Sequence, residues 1–324
     1  MRATTELFNF RRETQLYFVL GPMAVVLNLP IALLIVSSET LRARKEFIMI
    51  VGFCLVDATH GIVFVIVAFY RIRVLDEGRE NEVTSRFFCN RLLSQSLSIV
   101  NDQLLPCLVL VNTVDRVIAV FKPIAYYKLS PNCAWMTIIF VFLQALFFYF
   151  ISFVATLNDN AFDVPLLCYT YDSVDEEVYA ILQTTRIVCV CTSILLYIPV
   201  TVKLFSVSFS AIQLVCSSSQ YTKTQNGPLK TRLKQLKRMT ITVALATSTD
   251  TVFILIPDVV LALNLFGLEQ HAMFFYLLNL SKCTLNIFIC VLRHKEIVET
   301  IRSRFKKIFK TRISTNKTFT ITTF

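Results

Sequence analysis

AWMTIIFVFLQALFFYFISFVAT, Ala134 to Thr156, holds no charged residue, no glycine and no proline. About 20 apolar residues are enough for a helix to cross a hydrocarbon core, and this run reads as one such span. The whole chain agrees with that reading. Of its 324 residues, 55% are apolar or aromatic and only 17% are charged, with 28 Phe against 6 Gly. The mean hydropathy is +0.62. This is a membrane composition, not that of a large soluble core.

Six further runs of the same character lie outward from this one. Leu16–Val36, Phe47–Phe69 and Leu92–Val120 precede it; Tyr179–Phe205, Met239–Phe266 and His271–Leu292 follow. The third, fifth and sixth of the seven include polar residues and run long. Backbone in lipid must satisfy its own hydrogen bonds, so these are expected helices. Pro22, Pro30, Pro106, Pro199 and Pro257 fall within them and are expected to kink or bend them. The predicted fold class is an all-α membrane protein, a seven-transmembrane helix bundle with a short amphipathic helix after the seventh span. Residues 1–15 form the N-terminus, 16–292 the bundle, 293–310 the amphipathic helix and 311–324 a disordered Ser/Thr-rich tail. The first run follows a polar start and is long enough to span, so no cleavable signal peptide is expected.

The net charge of +10 does not point to nucleic acid, because the basic residues sit between the spans. With the N-terminus outside, 22 Lys and Arg fall on the inner side and 9 on the outer, with Lys282 in mid-span. That excess predicts N-terminus out and C-terminus in; Arg11 and Arg12, flanking the first span outside, cut against it. The outer loop from Asp159 to Glu177 carries six acids and no base. Its plain reading is a solvated loop; its functional reading is steering of cationic ligands. After the last span, Ile297, Ile301, Phe305 and Ile308 recur at helical spacing among Arg and Lys. Such a helix lies on an anionic inner membrane surface. The tail beyond suits phosphorylation or is plain disorder.

Ten cysteines are scattered, none in a CxxC pair or in a Cys/His cluster of zinc spacing, so no metal site is expected. Most fall in apolar runs, where Cys acts as a small hydrophobe. No P-loop, zinc triad or nucleophile elbow is present, and no catalytic residue or cofactor is predicted.

Just before the opening run stands VNTVDRVIAVFKPIAYYKL, Val111 to Leu129. Asp115 and Arg116 fall at the inner end of the third span and Pro123 opens the second inner loop. Seven spans with Asp-Arg at this place resemble a rhodopsin-like G-protein-coupled receptor, whose motif is Asp/Glu-Arg-Tyr; here it reads Asp115-Arg116-Val117. Asn28 and Asp57 stand where that family places an Asn and an Asp in the first two spans. Pro199 and Pro257 match its prolines. The resemblance implies a disulfide between Cys89 and Cys168, as fits an oxidising exterior. Departures are plain: Asn286-Ile287-Phe288-Ile289-Cys290 replaces Asn-Pro-x-x-Tyr, ILIPD lacks Cys-Trp before the proline, and Lys237 stands where an acid often faces the motif Arg. The chain's one Trp, Trp135, opens the fourth span, and no Asn-x-Ser/Thr sequon lies in the N-terminus. With RHKEI after the last span, these features are similar to the divergent nematode serpentine chemosensory receptors.

The resemblance implies a receptor that binds an extracellular small molecule or peptide, such as a chemosensory cue, and activates a heterotrimeric G protein. Further implied partners are arrestin at a phosphorylated tail and membrane lipid, with a multi-pass plasma-membrane location. Asp115 and Arg116 are then the G-protein switch. A guanidinium at the membrane edge needs an anion or water, and Asp115 supplies the anion at rest. With Lys237 in place of an acid, Asp115 is expected to act nearly alone, leaving a weakly restrained resting state with basal activity. The bland reading is an ion pair that snorkels at a helix end. Tyr126 and Tyr127 are expected at the interface, in the inner loop. In the third inner loop Leu229, Leu233 and Leu236 share a face, extending the sixth helix.

Buried charges are costly in lipid and need partners. Asp57 and Lys282 fall where the receptor family holds a sodium ion, so Lys282 is expected to replace that ion and pair with Asp57, or else to reach Asp250; Asn28 and Asn286 complete this polar network. The candidate ligand pocket lies between helices of the outer half and holds Ser98, Asp102, Arg186 and Asp258. Two acids can select a basic group; Arg186 either anchors a ligand carboxylate or neutralises an acid, and the readings are even. Ser98 stands where aminergic receptors hold an Asp, which argues against an amine receptor of that kind. The alternative function is a seven-span ligand-gated channel or transporter, against which stand the absence of an internal repeat and the scarcity of glycine. A membrane enzyme would need a catalytic set that the in-span polar residues do not form.

Overall fold

A computed structural model describes residues 2–159, 161–217, 245, 248–249, 251–262, 272–294 and 296–304. Its helices are α1 (Arg2–Ser37), α2 (Glu39–Arg42), α3 (Lys45–Asp76), α4 (Arg86–Arg91), α5 (Leu93–Phe121), α6 (Pro123–Lys128), α7 (Asn132–Thr156), α8 (Glu176–Ser217), α9 (Ile256–Ala262) and α10 (Ala272–Arg293). Residues 296–304 are also helical. Six helical segments are long and apolar enough to cross a membrane: Phe10–Ser37, Lys45–Asp76, Leu93–Phe121, Asn132–Thr156, Glu176–Lys203 and Phe274–Val291. They coincide with six of the seven expected spans. The sixth, Met239–Phe266, falls partly outside the described residues, as do Lys237, Asp250, the leucines of the third inner loop and the tail.

The six helices carry their apolar residues on both faces, which is what distinguishes them from helices of a soluble bundle. On α7, Ala134, Ile138, Val141 and Ala145 are buried against the bundle. Met136, Phe140, Leu143, Phe147 and Phe150 recur on another face and are exposed. In water such a row of large apolar side chains would be an aggregation surface; against lipid tails it is stable. The core between helices is built from α3, α5, α7 and α8, with Ile48, Val56, Leu104, Leu108 and Cys189 at its centre.

Helices α1 and α3 approach most closely where two glycines meet. A Cβ added at Gly61 would lie 2.5 Å from the Gly21 carbonyl oxygen and 3.0 Å from the Ala24 Cβ. Without a hydrophobic drive between helices in lipid, small residues that let backbones touch supply the packing.

Prolines lie within several helices. Before Pro257 the chain makes a π-helical turn, Thr251–Leu255, which runs directly into α9. A proline cannot donate to the carbonyl four residues back, and a widened turn relieves that mismatch.

The all-α expectation needs one correction. Val83–Ser85 (β1) and Phe162–Pro165 (β2) form a two-stranded antiparallel sheet, pairing Val83 with Pro165 and Thr84 with Val164. The long acidic loop folds back over the bundle end, and pairing its backbone satisfies groups that would otherwise be left unbonded. The N-terminal stretch is also helical from Arg2, so the first helix begins well before the expected Leu16.

Candidate functional site

Helix α5 carries a polar cluster near each end. At the end beside β1 and β2, Cys89 and Cys168 are joined in a disulfide. Three side chains from the bundle hold the loop that follows. Tyr70 donates to the Leu166 carbonyl at 2.7 Å, and Arg71 donates to the carbonyls of Leu167 at 3.3 Å and Cys168 at 3.4 Å. Gln95 also donates to the Cys168 carbonyl. Cys168 has φ of +47°, a left-handed backbone that costs a non-glycine residue about 1–2 kcal/mol; the disulfide and these hydrogen bonds hold it there. The Arg71 guanidinium stacks 4.7 Å over the Tyr169 ring. Burial pushes the Tyr169 phenol above its ordinary pKa.

Beneath this loop lies a cavity of two lobes. His60, Asn101, Asp102 and Tyr276 line both. One lobe adds Tyr179, Arg186, Phe253, Asp258 and Asn279; the other adds Tyr17, Arg71, Gln95, Ser98 and Thr170. The four residues named from sequence as pocket candidates therefore all line it. Arg186 reaches Asp102 at 3.7 Å and Asp258 at 3.2 Å, with all three side chains largely buried. The internal ion-pair reading of Arg186 is the arrangement seen, with both acids engaged. Ser98 sits in the other lobe and donates at 2.8 Å to the Ser94 carbonyl of its own helix.

Sequence reading missed His60 and Asn101. His60 is buried and hydrogen-bonded to Asn101, whose Oδ1 lies 2.9 Å from the Thr59 hydroxyl. The available signal was spacing: His60 follows Asp57 by three residues and so shares its helix face.

At the other end of α5, Arg116 pairs with Asp115. Tyr126 of α6 closes a triangle, donating to Asp115 at 3.0 Å and accepting from Arg116 at 3.1 Å. Lys45 of α3 donates to the Tyr126 carbonyl and sits 3.3 Å over its ring. Tyr126 is 2% exposed, which corrects its expected place at the interface. It also corrects the expectation that Asp115 acts nearly alone. The cause is Pro123, which starts α6 directly after α5 and turns the chain so that Tyr126 packs beneath Arg116. Burial pushes the Tyr126 phenol up, so it stays protonated and able to donate.

Of the internal network, Asn28 donates to the Cys283 carbonyl at 3.2 Å, tying α1 to α10. Asn286 accepts from Thr249 at 3.0 Å. Asp57 and Lys282 are both fully buried. Helical residues 296–304 pack back on the bundle: Ile297 is buried with Phe47 and Ile35, and Arg304 donates to the Ser37 carbonyl at 3.1 Å.

Among curated proteins none matches the chain. A family match covers residues 14–227, from the first span through the fifth helix, with the description serpentine type 7TM GPCR chemoreceptor Srbc. That stretch contains the disulfide, Asp102, Arg186 and the Asp115–Arg116–Tyr126 triangle. A multi-pass membrane chain with these features, matched over more than half its length, belongs to the Srbc family of serpentine 7TM GPCR chemoreceptors.

Proposed function

We propose that the protein is a plasma-membrane receptor that binds an extracellular small molecule or peptide in the two-lobed cavity and activates a heterotrimeric G protein at the Asp115–Arg116 end. The observation that carries this reading is that one helix, α5, contributes charged residues to both clusters. Asp102 and Arg116 are separated by 14 residues, about 21 Å along a helix axis. A ligand that favours one placement of α5 at the cavity shifts the population of open and closed states at Arg116. The Lys/Arg asymmetry supports an outer cavity and an inner Arg116. Helix 296–304 then lies at the inner surface, and arrestin and anionic lipid are partners of that same side.

The polar network at Asp57 and Lys282 belongs to this proposal. In it the Lys282 ammonium takes the place of a bound sodium ion beside Asp57. Lys282→Met is expected to create sodium-dependent activity or to prevent folding; an unaltered, sodium-indifferent receptor would contradict it.

The receptor reading is tested by nucleotide exchange on G proteins in cells expressing the parent chain or Arg116→Ala. Loss of exchange in the variant, at equal surface expression, is expected. An ionic current without G protein, or an N-terminal tag facing the cytoplasm, would overturn the reading.

A further inference from the structure

We propose that the cavity takes a small organic monocation, a protonated amine carrying one further polar group, seated against Asp102 and Asp258. This rests on the reading of the cavity as the receptor's binding site and names the ligand class that it admits.

The charge balance of the Arg186 lobe carries the argument. One guanidinium faces two carboxylates, Asp102 at 3.7 Å and Asp258 at 3.2 Å. Among the described residues, the three groups together leave one negative charge on the wall of the Arg186 lobe. Buried charge in a membrane protein calls for a partner. Arg71 lies in the other lobe, where the loop carbonyls and the Tyr169 ring take up its guanidinium. Tyr179, Phe253 and Tyr276 also line the lobe, and an aromatic ring attracts a cation to its face.

A second observation is independent of the acids. His60 is 3% exposed and lines both lobes. One ring nitrogen meets Asn101; the other, Nε2, has no hydrogen-bond partner among the described residues. A buried polar atom in this state calls for a partner, and a ligand group in the cavity would supply one. The cation thus sits against Asp102, one helical turn along α5 from Ser98, while the ligand's second polar group meets His60. Within the Arg186 lobe an anion would have to displace one acid from Arg186 and then lie beside that same acid, and like charges held together oppose binding.

The test uses the full chain in lipid nanodiscs and reads its thermal unfolding midpoint. The probes are a series of alkyl and arylalkyl monoamines, phenethylamine among them. Matched alcohols and carboxylates of the same shape accompany them, with 1,4-butanediamine as a dication. At least one monoamine is expected to raise the midpoint saturably while its alcohol and carboxylate counterparts do not. Asp102→Asn and Asp258→Asn should each weaken that response tenfold or more. Arg186→Met leaves two carboxylates and should shift the preference from monoamines to the diamine. No response to any monoamine, stabilisation by carboxylates instead, or an undiminished response in both Asn variants would each overturn the proposal. Amine binding that never alters nucleotide exchange supports the cavity chemistry and counts against the receptor reading, so the two fail separately.

Discussion

The two ends of α5 deal with buried charge in opposite ways. Around Arg116 one carboxylate, one guanidinium and a phenol form a hydrogen-bonded triangle, with Lys45 over the Tyr126 ring and Arg116 Nε without a hydrogen-bond partner among the described residues. Around Arg186 there are two carboxylates for one guanidinium, beside a cavity with an unsatisfied imidazole nitrogen. In the proposed receptor the Arg116 end is held by its own side chains and acts when they part. In the same proposal the Arg186 end is completed by a ligand. The same residue types therefore read as a latch in one place and as a receptacle in the other.

Neutralising one acid at each end separates these cases most sharply. Asp115→Asn leaves the buried Arg116 guanidinium with neutral acceptors in place of its carboxylate, and breaking a buried pair costs roughly 3–5 kcal/mol. Asp102→Asn leaves Arg186 paired with Asp258 and is expected to cost less than about 1 kcal/mol. Thermal unfolding in detergent checks both, and equal losses would erase the distinction. Next in size, Cys168→Ser releases a loop closed across 79 residues and should cost about 2–4 kcal/mol. Protection of the cavity should fall with it, while the Arg116 end stays protected in hydrogen exchange.

Tyr126→Phe removes one hydroxyl from the triangle and is expected to cost about 1 kcal/mol, with a rise in ligand-independent nucleotide exchange. The smallest effect belongs to an exposed cluster beyond both ends. Arg73 and then Arg79 lower the pKa of Glu77, and Arg79 lowers that of Glu82, through side-chain hydrogen bonds. A depressed carboxylate pKa adds stability above its unfolded value and loses it as pH falls through the folded one. All these groups are exposed and screened. Arg79→Ala should therefore leave the unfolding midpoint unchanged at neutral pH and nearly so at acid pH.

The spans were legible because hydropathy over about 20 residues outweighs any single polar position. The Arg186 partners were legible as residue types, since charges inside spans must find one another. Their grouping was not, because it depends on how α5, α8 and α9 face each other. Tyr126 was misplaced for a related reason. A tyrosine near the end of a span normally lies at the interface, and only the turn made by Pro123 and α6 buries it. The sheet of β1 and β2 escaped notice because a few residues in an acidic loop give no usable alternation. His60 was overshadowed by Asp57, the charge three residues before it in the same apolar run.

Ligand-independent nucleotide exchange on a heterotrimeric G protein, measured for the full chain in nanodiscs, tests the receptor reading without knowledge of the ligand. The account predicts exchange near that of empty discs for the parent chain, clearly more for Tyr126→Phe and none above background for Arg116→Ala. Equal exchange by all three, or exchange by Tyr126→Phe no different from empty discs, would contradict it.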